Sequence, residues 1–195
     1  MHRALWRICQ HSDMTLKNIT IEHSSFTYYA DLGFYLVLVL VLPWILMVYA
    51  PPRTRLAMAL AALFGLALWT LIEYAMHRFV FHGLEPFQSL HAEHHRRPQA
   101  LIATPTWGSL ALIAVLVWLP ATLLGGFWLG SGATLGVMAG YLAYGVVHHA
   151  VHHGPSSNLW LRRLKHQHAV HHYNPRLNYG VTMLWWDHAF GSDGR

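Results

Sequence analysis

The chain has 195 residues, with 17 histidines, 13 basic and 8 acidic side chains, a net charge of +5 and a single cysteine, Cys9. Apolar residues make up 54% and charged residues 11%, less than half the share usual in a soluble domain, so the composition points to a membrane rather than to a soluble core. One cysteine excludes an intrachain disulfide and a four-cysteine iron–sulfur site, and no basic, aromatic-interleaved segment argues for nucleic acid.

Met1–Asp31 is polar and basic without an apolar core, so it reads as a cytoplasmic N-terminal segment rather than a signal peptide. His2, His11 and His23 read there as solvated side chains. Leu32–Ala50 then runs nineteen residues without a charge, long enough to cross a bilayer. Leu56–Ile72 is a second apolar run that continues toward His77. From Ser109 to Val151 there are forty-three residues without Asp, Glu, Lys or Arg. As one helix these would reach about 64 Å, twice a hydrocarbon core, so they must form a hairpin, with the turn expected at Gly130–Gly132 in "LGSGA". Backbone groups in lipid must be satisfied internally, which makes helices the expected form. Pro43 and Pro120 are expected to kink their spans.

The expected fold is all-α: one membrane-embedded domain, 1–195, with transmembrane helices at about 32–50, 56–78, 108–129 and 133–153. A cytoplasmic tail, 154–195, completes a histidine-rich cap. Arg53 and Arg55 lie in the loop after the first span, and the other eleven Lys and Arg residues lie on the opposite side. The positive-inside rule then places both termini in the cytoplasm. Under this parity every dense histidine group reaches one layer at the cytoplasmic boundary.

Those groups are "HRFVFH" at His77–His82, "HAEHH" at His91–His95, "HHAVHH" at His148–His153 and "HQHAVHH" at His166–His172. Neutral imidazole is a common ligand for iron, zinc, copper and nickel. In "HxxHH" the first, fourth and fifth positions share a helical face, so His91, His94 and His95 are expected to meet a common centre, and likewise His168, His171 and His172. His148 and His152 are one turn apart. His77 and His82 are about 140° apart on an ideal helix, a separation that needs a frayed or bent helix end, or two metals. Repeat logic alone would choose His149, His152 and His153 from the middle group.

The segments "EYAMHRFVFH", "HAEHH", "YGVVHHAVHH" and "LKHQHAVHHYNPRLNYGVTMLWWDHAFGS" resemble the fatty acid hydroxylase/sterol desaturase superfamily, and most closely its fatty acid 2-hydroxylase branch, over about Glu73–Ser192. The resemblance implies a membrane-embedded dimetal centre held by His77, His82, His91, His94, His95, His148, His152, His168, His171 and His172. In its register His149 and His153 are extras. It implies two metal ions, iron by the reaction although the ligands also suit zinc, with dioxygen as co-substrate. The expected substrate is a lipid acyl chain, hydroxylated near a carboxyl or amide carbonyl.

Glu73, one turn before His77 in an apolar span, is a candidate acceptor for the second N–H of His77 or a neighbour, or else for a Trp or Tyr hydrogen bond, and Asp187 for a similar role or for capping a turn. Asn178 is expected to order the loop after the last box. Tyr144 and Trp186 are aromatic at plausible depth to support the centre, or else serve packing or membrane anchoring, and His188 reads as structural or as an interface residue. No Gly-rich dinucleotide fingerprint follows a strand, and the His-Pro-Gly-Gly segment of a fused cytochrome b5 domain is lacking, so a separate ferredoxin- or cytochrome b5-like electron donor is implied. Arg96–Arg97 and Arg162–Lys165 could dock it, or contact lipid heads. The alternatives are a carotenoid ring hydroxylase, a desaturase of the same superfamily, a metal-binding or metal-transport membrane protein, and a zinc-dependent lipid hydrolase.

Overall fold

A computed structural model of the chain describes residues 22–155 and 158–194. Most of the N-terminal segment, with His2, Cys9 and His11, and also Arg195, lies outside the described residues. Among the described residues the regular structure is helical, apart from one isolated bridge between Glu22 and Ile102.

Helix α1, Ser25–Tyr49, starts where the Ser24 hydroxyl accepts from Thr27 N, and it continues through Pro43 without a break. Helix α2, Pro52–Ala75, opens with a proline, whose missing N–H costs nothing in a first turn. It runs straight into a π-helical segment, Met76–Phe81. Helix α3, Phe87–Arg96, carries the first "HxxHH" box. Helix α4, Thr106–Ile113, passes through a second π segment, Ala114–Trp118, into α5, Leu119–His153. The i→i+5 bonding just ahead of Pro120 accommodates the missing donor. Helix α6, Leu159–Tyr173, is capped by Asn158, whose side chain accepts from Leu161 N, and holds the last box. Short helix α7, Trp185–Phe190, follows.

Three helical stretches are long and apolar enough to cross a membrane: Ser25–Tyr49, Pro52–Phe81 and Thr106–His153. Their outer faces leave large apolar side chains uncovered, among them Leu40, Leu63 and Leu124, as lipid-facing helices do. The third stretch is doubled back on itself. Gly126 has φ 77° and ψ 167°, a backbone that in practice only glycine adopts. Past it, Trp118 Nε1 donates to Ser131 Oγ at 3.3 Å, and Gly130 lies against Thr122. The turn is therefore at Gly126, not at the expected Gly130–Gly132.

The later glycines serve packing instead. Gly132, Gly136 and Gly140 are spaced by four along one face of α5 and press against Met58, Ala62 and Trp69 of α2. A Cβ at Gly136 would stand 1.9 Å from Ala62 O, so the two backbones touch. This α2–α5 contact is the most extensive in the fold. It brings the C-terminal ends of α2 and α5 side by side. The N-terminal ends of α1 and α4 join them, since Tyr28 packs on His149 with ring centroids 5.5 Å apart and Thr106 Oγ1 donates to Asp31. All four histidine segments thus gather at one end of the bundle.

Candidate metal centre

The π segment explains how His77 and His82 converge. With i→i+5 hydrogen bonds a turn closes over about five residues, so this pair stands one above the other instead of 140° apart. Their rings stack at 5.2 Å, so a distorted helix end brings the pair together, and both enter one group of histidines rather than two.

The ten implied ligands form two groups. Nitrogens of His77, His82, His91, His95 and His171 lie within 4.8 Å of one another, and so do those of His94, His152, His168 and His172. The ring of His148 completes the second group, 4.8 Å from His94, 4.7 Å from His152 and 5.0 Å from His168. The expectation that each "HxxHH" box meets one centre is corrected. His91 and His95 share one group while His94 enters the other, and His168 and His172 share one group while His171 enters the other. Successive residues on an α-helix are about 100° apart, so the i, i+4 pair faces one way and the i+3 residue another. Both boxes therefore straddle the two groups.

The middle repeat is divided between two sides of α5. His148 and His152 face the cluster, whereas His149 and His153 stack on each other at 4.6 Å on another side of α5, beside Tyr28 and Tyr29. His23, expected to be solvated, is half-buried with Nδ1 3.3 Å from Asp31. His188 pairs with Asp193 at 3.0 Å.

Nitrogen spacing shows what the groups fit. Two imidazole nitrogens bound to a metal at about 2.1 Å and at right angles stand about 3.0 Å apart. Facing Nε2 atoms lie at 2.9 Å for His77 and His91, 3.1 Å for His82 and His171, 3.1 Å for His91 and His95, 2.8 Å for His152 and His168, and 3.1 Å for His168 and His172. His94 Nε2 is buried with no hydrogen-bond partner among the described residues. Burial first, and neighbouring imidazoles such as His95 second, lower the His82 pKa to about 4 and the His172 pKa to about 3. Burial likewise lowers His171 to about 3, and holds His91, His94 and His168 below the usual range. At neutral pH these are uncharged imidazoles, the form that binds a cation.

Orientation comes from the loop between α6 and α7. His77 Nδ1 donates to Tyr179 O at 2.5 Å and His171 Nδ1 to Leu177 O at 2.7 Å. A carbonyl only accepts, so each Nδ1 carries the proton and each Nε2 turns a lone pair inward. Glu73 does not take the His77 N–H. Its Oε1 accepts from Val181 N and Thr182 N, both at 2.8 Å, and its Oε2 from Thr182 Oγ1 at 2.6 Å. Asp187 accepts from Tyr179 N, Gly180 N and Ser192 Oγ, each at 2.8 Å. Asn178 sits at φ 54°, with its N–H on Ser192 O and its Oδ1 accepting from Gly194 N. Tyr144 stacks on His148 at 5.5 Å, and Trp186 Nε1 donates to Thr70 Oγ1. Arg96 and Arg97 both pair with Glu93, Arg97 also with Glu22, and Lys165 Nζ donates to Gly154 O, which leaves Arg162 and Arg163 as exposed positive charge at this end.

Residues 62–192 match the fatty acid hydroxylase family. The chain belongs to that family. It is 32% identical over 149 residues to the dihydroceramide fatty acyl 2-hydroxylase FAH2 of Arabidopsis thaliana, covering 66% of this chain and 58% of the relative. It is 35% identical over 142 residues to the ceramide very long chain fatty acid hydroxylase SCS7 of Saccharomyces cerevisiae, covering 66% of this chain and 36% of that one. The human fatty acid 2-hydroxylase matches at 30% over 144 residues, 65% of this chain and 37% of the relative. The fold is similar to the solved structure of full-length scs7p, in which only the hydroxylase domain is visible: TM-score 0.75, 25% identity, 87% of this chain and 67% of that chain. The chain thus spans between about a third and three fifths of its relatives' full lengths.

Proposed function

We propose that this protein is a membrane-bound dimetal oxygenase that hydroxylates a lipid acyl chain, a fatty acid or sphingolipid, near its carboxyl or amide end. The observation that carries the reading is the pair of convergent imidazole groups, spaced as ligands of two adjacent metal ions, at one end of an apolar helical bundle. The names of the relatives supply the substrate class.

Five histidines would hold each ion: His77, His82, His91, His95 and His171 for one, and His94, His148, His152, His168 and His172 for the other. When bound, the ions, proposed to be iron, would activate dioxygen with two electrons from a separate ferredoxin- or cytochrome b5-like donor and direct it at a C–H bond. The chain's own part is to keep ten imidazoles neutral, to turn the Nε2 lone pairs of His77 and His171 inward, and to exclude water by burial. Four membrane crossings follow if the Thr106–His153 hairpin spans twice. Both termini and the centre would then face the cytoplasm, under the positive-inside rule. A centre at the boundary layer meets carbons next to a lipid head while the tail lies along the helices. A transport site would instead be expected near the bilayer midplane.

Lipid mass spectrometry after expression under heavy-isotope dioxygen tests this, comparing wild type with His171→Ala. Labelled hydroxyl on an acyl chain, present only with wild type, is expected. Label on a carotenoid ring would move the assignment to another branch. Absence of label from a protein that retains two iron ions and is supplied with a donor would overturn the substrate assignment.

A further inference from the structure

The two imidazole groups are not supported alike. In the first, His77 and His171 are oriented by the carbonyls of Tyr179 and Leu177. In the second, His168 Nδ1 and His172 Nδ1 are buried and have no hydrogen-bond partner among the described residues, as is also true of His95 Nδ1 in the first. Residues 177–182 are thus a template for one group only, and this template has no regular structure of its own to hold its shape.

Two buried carboxylates hold it instead. Glu73 is 4% exposed and Asp187 is fully buried. Glu73 reaches from α2 and gathers the amides of Val181 and Thr182, while Asp187 reaches back from α7 and gathers those of Tyr179 and Gly180. Neither carboxylate appears among the partners of a clustered histidine. The fit at Gly180 is tight: a Cβ would stand 2.0 Å from Met183 O and 2.9 Å from Asp187 Oδ2, so the backbone packs directly against the carboxylate that holds it.

We infer that Glu73 and Asp187 are positioning residues that act through the backbone of residues 177–182 to set the metal affinity of the His77–His82–His91–His95–His171 group selectively, leaving the other group unaffected. The inference rests on the dimetal reading above. It also separates the two carboxylates by their hydrogen-bond partners. Around Asp187, Tyr179 N and Gly180 N can only donate, one to each oxygen, so an Asn in its place must turn its amide against one of them. Around Glu73, one oxygen serves both amides and the other meets a hydroxyl, which can accept as well as donate. A Gln there keeps all three contacts with its N–H donating to Thr182 Oγ1.

The test is metal content per chain and chelator-driven release, measured on the full chain in detergent. Wild type is expected to hold two ions. Glu73→Ala and Asp187→Asn are expected to weaken one ion by about 10- to 100-fold, the range typical for loss of an outer hydrogen-bond partner, and to purify with about one ion. Glu73→Gln is expected to keep two. Adding His152→Ala to Asp187→Asn should leave none, whereas adding His82→Ala should change nothing further. Two ions with wild-type release in Asp187→Asn, or equal loss of both, would overturn the inference. So would a lower unfolding temperature with unchanged metal content, the signature of a purely structural role. Wild type that binds no metal would overturn the dimetal reading itself, which the variants alone cannot do.

Discussion

Substituting Gly136 by alanine tests whether the α2–α5 contact sets the geometry of the centre. The added Cβ would stand 1.9 Å from Ala62 O and 2.6 Å from Leu66 N, both backbone atoms, where ordinary contact begins at 3.4 Å. The helices must separate by about 1.5 Å at that level, or one must bend, and overpacking of this kind costs about 1–3 kcal/mol. Alanine's better helix propensity offsets about 1 kcal/mol of that. The functional loss should exceed the loss of stability. His148 and His152 ride on α5 and His77 and His82 on the end of α2, so the separation is carried into the cluster, where a 1 Å misplacement costs on the order of 100-fold in rate. Gly33→Ala is the control, because nothing lies within 4 Å of a Cβ there. The assay is the unfolding temperature in detergent together with hydroxylated lipid formed per metal-loaded protein. A Gly136→Ala protein with wild-type stability and turnover would refute the reasoning.

Three further outcomes are expected. His148→Ala and His152→Ala should each cost the chain a metal ion, while His149→Ala and His153→Ala should keep both, as read by metal analysis; loss in His149→Ala and His153→Ala with none in His148→Ala would restore the repeat register. Gly126→Ala should lower stability by about 1–3 kcal/mol through backbone strain alone, since its φ of 77° is unfavourable while the space around it is open, and denaturant titration measures this. Chelator-treated protein should lose stability as pH falls from about 6.5, where unfolded imidazole titrates, toward about 3. In that window the unfolded chain binds protons that buried His82, His171 and His172, with pKa values of about 4, 3 and 3, refuse. The stability is fully present above 6.5, and a denaturation midpoint no lower at pH 5.5 than at pH 7.5 would contradict it.

The uncharged runs made the helices legible, because length and the absence of charge are properties of sequence alone. The hairpin was legible for the same reason, but its turn was not. Gly126 and Gly130 look alike in a sequence, and only the folded chain separates a glycine needed for positive φ from one needed so that α2 can approach α5. The histidine boxes were legible as ligands through spacing and number. Their division was not, because sequence proximity favours one box for one metal, whereas a single helix presents i, i+4 to one side and i+3 to the other. His77 and His82 called for a distorted helix end, but the form of that distortion, a π segment, has no signature in the spacing. The carbonyls of Leu177 and Tyr179 were the hardest to anticipate, since a backbone acceptor leaves no mark in the side-chain sequence. The available signal was indirect, an Asn-Tyr-Gly run whose Asn takes a positive φ, followed by a carboxylate at Asp187.

The division of the boxes has a mechanical consequence. Helix α3 gives His91 and His95 to one group and His94 to the other, and α6 gives His168 and His172 to one and His171 to the other. Neither helix can shift without changing both groups, so α3 and α6 fix the distance between the two candidate metal positions. The groups differ instead in what is theirs alone. His77 and His82 belong to one, tied to the loop of residues 177–182, and His148 and His152 to the other, tied to the uninterrupted end of α5. Damage to the shared helices should therefore affect both metals together, and damage to the loop should affect one. That contrast separates a template loop from a general loss of folding.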